Sequence, residues 1–80
     1  MDVQKLIVMA NQIAAYFATE PVRTEAVAAV AGHLKRFWEP RMRRELLATF
    51  DANGGVGMHE LVVEALRQRR AELEPLPARG

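Results

Sequence analysis

Phe37-Trp38-Glu39-Pro40-Arg41-Met42-Arg43-Arg44 decides how this chain is folded. It holds the only tryptophan, a proline and three arginines within four residues. Proline disfavours helical geometry at the residue before it, so helix should stop near Glu39. Pro40 itself fits the first turn of a new helix, where its missing N–H does no harm. The stretch therefore predicts two helices meeting at a Pro-marked corner from Trp38 to Pro40. The preceding His33-Leu34-Lys35-Arg36 makes that corner both basic and aromatic.

Outward from the corner, helical periodicity continues on both sides. Upstream, a helix is expected from about Val22 to Trp38, with Val27, Val30, Ala31, Leu34, Phe37 and Trp38 as its apolar stripe. Gly32 lies inside it, a cost of around 1 kcal/mol against alanine; it is either tolerated or marks a close approach by another backbone. An earlier helix spans about Val3 to Ala18, with Leu6, Met9, Ala10, Ile13 and Phe17 at helical spacing. Asp2 is its expected N-cap, Met1 can staple onto Leu6, and Pro21 ends it near Thr19. Downstream, a helix from Pro40 to about Phe50 should bury Met42, Leu46, Leu47 and Phe50. Glu39 would set a negative charge near its positive end. The loop Asp51-Ala52-Asn53-Gly54-Gly55-Val56-Gly57 favours positive φ. A fourth helix, Glu60 to about Glu72, turns Leu61, Val62, Ala65 and Leu66 inward. The expected fold class is all-α, a small bundle of about four helices. Residues 1–73 form one helical domain and 74–80 a flexible tail.

Composition is globular: half apolar, a quarter charged, net charge +1. There is no cysteine, so neither disulfides nor thiolate ligands arise. No basic segment followed by an apolar run suggests a signal peptide, and no stretch reaches the roughly 20 apolar residues of a membrane span. The expected setting is the cytoplasm, with no membrane contact.

The first helix is apolar nearly all round: Val3, Leu6, Ile7, Val8, Met9, Ala10, Ile13, Ala14, Ala15, Tyr16 and Phe17. Such a helix is normally buried on every side, and an 80-residue chain is too small to cover it. The excess apolar surface points to a protein partner.

Catalysis finds little support. The chain lacks serine and cysteine, and its only hydroxyls are Thr19, Thr24, Thr49 and Tyr16. His33 and His59 match no metal spacing. Asp51-x-Asn53-Gly54-Gly55 departs from a calcium loop, with Val56 and Val62 where glycine and glutamate belong. The glycines do not form a phosphate loop, because no strand precedes them and no Gly-Lys-Ser/Thr follows. Lys35, Arg36, Arg41, Arg43 and Arg44 flank Phe37 and Trp38, and Arg67, Arg69 and Arg70 form a second basic run. Basic residues beside aromatics suit nucleic acid, yet neighbouring acids offset the charge. Arginine and tryptophan are also the anchors of protein interfaces, and protein contact is favoured here. The plainer alternative leaves Trp38 in the core and the arginines in solvent.

Three blocks carry a family resemblance: Met9-Ala10-Asn11-Gln12-Ile13-Ala14; His33 through Arg43; and Gly54-Gly55-Val56-Gly57 leading to Leu61-Val62-Val63-Glu64-Ala65-Leu66. Their order and spacing resemble the delta subunit of soluble NAD-dependent formate dehydrogenases from about Leu6 to Leu66. The Phe-Trp-Glu-Pro-Arg-Met-Arg block is the specific part. His59 departs from the pattern, which has a small polar residue at that helix start.

The resemblance implies a non-catalytic accessory subunit of an enzyme that oxidises formate to carbon dioxide and reduces NAD. It implies no cofactor on this chain. The alpha subunit would carry molybdopterin (with molybdenum or tungsten) and iron–sulfur clusters; beta and gamma subunits would carry FMN, further clusters and the NAD site. The alpha subunit is the implied partner, with beta and gamma as further candidates, and the implied role is assembly or stability of the complex. Expected partner-binding residues are Asn11, Gln12, Tyr16, His33, Arg36, Phe37, Trp38, Arg41, Arg43 and Arg44. Phe37 and Trp38 would anchor the corner, and the arginines would pair with carboxylates or carbonyls. Competing possibilities are a transient cofactor-maturation chaperone, a small DNA-binding regulator, and a self-associating homo-oligomer.

Overall fold

The computed structural model describes residues 2–75. They form five helices: α1 (Val3–Phe17), α2 (Arg23–Phe37), α3 (Pro40–Asn53), α4 (Glu60–Gln68) and α5 (Arg70–Leu73). The fold is all-α, as expected. Met1, the supposed staple, and residues 76–80 of the supposed tail lie outside the described residues.

Asp2 caps α1 as its sequence position suggests, accepting a hydrogen bond from the Gln4 N–H at 2.9 Å. The α1 core face is Leu6, Ile7, Ala10 and Ala14. The two alanines are fully buried, and their small side chains let neighbouring helices come close. Met9, expected inside, is exposed, while Ile13 and Phe17 are half-buried against the core.

α2 is the central helix, packing on α1, α4 and α5. Ala26, Val27, Val30, Ala31 and Leu34 are buried along it. Phe37, expected in this stripe, is instead exposed, whereas Trp38 is buried. The reason is local. The helix ends at Phe37 and Trp38 turns to extended backbone (φ −91, ψ 135), which takes its side chain out of the helical period. The Trp38 N–H still closes the last turn on the Leu34 carbonyl at 3.0 Å. No side chain sits within 4 Å of where a Gly32 Cβ would lie, so no other backbone approaches there.

Pro40 begins α3, as its missing N–H allows. Leu46 and Leu47 are buried along α3, and Met42 and Phe50 are half-buried. The helix runs three residues past the expected end, through Asp51-Ala52-Asn53. Gly54 stops it in the left-handed region (φ 75), its N–H on the Phe50 carbonyl at 2.7 Å. Asn53 then accepts the Gly55 and Val56 N–H groups at 2.9 and 3.1 Å, closing the turn.

The expected fourth helix is two. α4 ends at Arg69 (φ −115, ψ 26), and α5 restarts at Arg70. Beyond this offset Leu73 is fully buried, with α5 packed on α2, while Arg70 reaches Asp51 at the end of α3. α1 packs on α2, α3 and α4, but α2 and α3 are not principal packing partners despite being consecutive. The Trp38 corner therefore splays them apart, and α1 lies against both.

Candidate functional site

The space left beside that splayed corner is a groove of about 540 Å³. Met9, Gln12, Ile13, Tyr16 and Phe17 of α1 form one wall; His33, Phe37, Trp38 and Met42 form the other. Its aromatic groups are in mutual contact. The Phe37 and His33 rings lie 4.7 Å apart, His33 and Phe17 6.2 Å, and Phe17 and Tyr16 5.0 Å, mostly edge-to-face. Three hydrophobic lining residues project into solvent: Tyr16 is 73% exposed, Phe37 65% and Met9 42%. A second, smaller hollow of about 310 Å³ between Gln4, Lys5, Val8 and Met9 continues the apolar strip along α1. Val8 is also exposed.

The groove gathers Gln12, Tyr16, His33, Phe37 and Trp38 from the residues singled out in the sequence. Trp38, at 6% exposure, belongs to the hydrophobic core while lining the groove. Asn11 is engaged elsewhere. Its Nδ2 donates to the Gly57 carbonyl at 2.9 Å and its Oδ1 accepts the His59 N–H at 2.8 Å, tying α1 to the glycine loop. Arg36, Arg41 and Arg44 are exposed at the corner, and Arg43 is half-buried with its Nε unpartnered among the described residues. Met42 was legible only as a core position, and Met9, Ile13 and Phe17 as core positions within the apolar excess of the first helix; their role as groove walls depends on how α1 crosses the corner.

The two basic clusters differ. Arg67 pairs with Glu64 at 3.2 Å and Arg69 with Glu72 at 2.9 Å. Arg70 grips both Asp51 oxygens at 2.8 and 2.7 Å, and also reaches Glu74. This fork holds the Asp51 carboxyl below its usual range and the Arg70 guanidinium above its own. Arg23 likewise lowers Glu60 across a 2.7 Å bridge from α2 to α4. At the corner, by contrast, Lys35, Arg36, Arg41, Arg43 and Arg44 form no ion pair among the described residues. Glu39 is the N-cap of α3, as expected near its positive end, but its side chain makes no cap hydrogen bond; the first turn holds no acid, and its arginines stand against the positive end of the helix.

Both histidines have structural contacts. His33 stacks in the groove wall, and His59 caps α4, its Nδ1 accepting the Leu61 N–H at 3.0 Å. His59, where a small polar residue was expected at the helix start, is thus a working cap. Among the described residues no three His, Asp or Glu side chains converge on a metal-sized site, and no helix is long and apolar enough to cross a membrane.

The family model for the NADH-dependent formate dehydrogenase delta subunit, FdsD, matches residues 5–66. The chain belongs to that delta-subunit family. The delta-subunit match includes both groove walls, the corner arginines and the Asn11 tie to the glycine loop. It stops at Leu66, before Arg69 and α5. No curated protein and no solved structure matches the chain.

Proposed function

We propose that this chain is a non-catalytic accessory subunit of a cytoplasmic NAD-dependent formate dehydrogenase, bound to the large alpha subunit and supporting assembly or stability of the complex. In this reading the alpha subunit carries molybdopterin and iron–sulfur clusters, the beta and gamma subunits carry FMN and the NAD site, and this chain carries no cofactor. The observation that carries the proposal is the groove itself. A delta-subunit family member leaves Met9, Tyr16 and Phe37 exposed around an apolar trough. Exposed aromatics in a concave apolar patch are the material of interface hot spots.

Further support comes from how the polar groups are used. Both histidines make packing or capping contacts, and among the described residues neither pairs with a carboxylate or hydroxyl as acid–base work requires. The second arginine run is neutralised by Glu64, Glu72, Asp51 and Glu74, which weakens a nucleic-acid role for that face. The subunit then acts by binding: apolar groove residues exclude water while exposed corner arginines orient the partner.

The test is affinity isolation of the tagged chain from its native cytoplasm at mild salt, with subunit identification and a formate-to-NADH assay. Stoichiometric recovery with an active enzyme is expected. Its presence in finished, active enzyme also separates an accessory subunit from a chaperone that departs. Recovery alone, or with nucleic acid, contradicts the proposal.

A further inference from the structure

The groove and the charges around it specify what kind of segment fills it. The molecule offers no strand among the described residues, so a partner cannot extend a sheet and satisfy its backbone that way. A helix satisfies its own backbone hydrogen bonds, so it can lie in an apolar trough without drawing any from this chain. The trough is open rather than enclosed. Its two hollows share Met9 and run along α1 from Lys5 to Tyr16. At 1.5 Å per residue that strip is about 16 Å long, the length of three helical turns.

Cations stand close to the trough. Lys5 lines the second hollow, and Arg36 and Arg41 are exposed and next in sequence to the lining residues Phe37 and Met42. None has an acidic partner among the described residues. From Lys35 to Arg44 the chain carries five cations against Glu39 alone. Gln12 and His33 make no side-chain hydrogen bond among the described residues and are free to fix register.

Resting on the accessory-subunit reading, we infer that the groove receives an acidic amphipathic helix of the large subunit. Its apolar stripe lies between α1 and the corner, with Phe37 and Tyr16 closing over it. Its flanking Asp or Glu residues pair with Lys5, Arg36 and Arg41.

Photo-cross-linking in the intact complex tests this. A benzophenone amino acid replaces Tyr16 or Phe37 in the full chain, and the captured peptide is sequenced. Capture of a large-subunit helix with an apolar stripe flanked by acids is expected. Capture of a neutral, basic or extended large-subunit segment overturns the inference but leaves the accessory role standing. Capture of a second copy of this chain, another protein or nucleic acid overturns both. An active complex that contains the chain but yields no cross-link at either position shows the groove uncovered and overturns the inference. In parallel, Phe37→Ala should weaken retention on the large subunit roughly thirtyfold. The R36E/R41E variant should lose retention, and changing the captured acids to Lys should restore it. Retention unchanged in R36E/R41E removes the charge pairing from the account.

Discussion

The Phe37–Arg44 corner and the Asn53–Glu60 connection both join helices with polar and special residues, yet they are finished differently. In the connection, polar groups find partners inside the chain. Asn53 holds two N–H groups, Asn11 bridges Gly57 and His59, His59 caps α4, and Glu60 meets Arg23. At the corner the arginines stay unpaired among the described residues and Phe37 stands in solvent. A segment that serves only the fold is expected to close its own hydrogen bonds. One that leaves aromatics and cations open, against the local helix dipole, departs from local consistency as functional sites do.

Adjacent residues sharpen the contrast most. Trp38→Ala should cost about 3–5 kcal/mol, comparable to the whole stability of a domain this small, and leave the chain largely unfolded by circular dichroism. Phe37→Ala should stay within about 0.5 kcal/mol of the parent in urea unfolding. A large loss from Phe37→Ala would erase the distinction. In the connection, Gly55→Ala should destabilise by about 3 kcal/mol. Its Cβ would fall 2.8 Å from Val63 Cγ2 and 3.3 Å from Phe50 Cδ1, at φ 95 where alanine is strained. Val63 cannot swing away, because a β-branched side chain is stiff at χ1. Asn11→Ala should cost about 1–2 kcal/mol by leaving the Gly57 carbonyl and His59 N–H unpaired, with complex formation falling only as the fold weakens. Gly32→Ala should raise stability by up to about 1 kcal/mol, since the site is helical and open.

The smallest effect concerns acid. Asp51 and Glu60 are held below their ordinary values by Arg70 and Arg23. Their contribution is therefore full above the ordinary carboxylate range, roughly pH 4, and is lost as pH falls through the lowered folded values. Urea midpoints followed downward from pH 5 should show a shallower decline in Asp51→Asn than in the parent, and salt should blunt the difference. An unchanged slope would mean that the Arg70 fork does not brace α3 against α5.

Much of this was legible along the chain. Pro21 and Pro40 punctuate the helices through local sterics, Asp2 caps where an aspartate should, and the apolar excess of α1 emerges as exposed Val8, Met9 and Tyr16. Periodicity failed where backbone left the helix. Trp38 and Phe37 read as one stripe until the chain turns extended between them. Asp51-Ala52-Asn53 has turn composition, yet α3 continues because Gly54 supplies the left-handed stop one residue later. The intrachain partners of Asn11 lie 46 and 48 residues away, a distance no local pattern reports. The neutralisation of Arg70 by Asp51 is hidden for the same reason.

Hydrogen exchange of the chain alone and within the purified formate dehydrogenase tests the central claim most directly. Binding through the groove should slow exchange in residues 9–17 and 33–44 and leave residues 51–60 unchanged. Protection confined to 51–60, with the corner exchanging as in the free chain, would place the interface on the wrong side of the molecule and contradict the account.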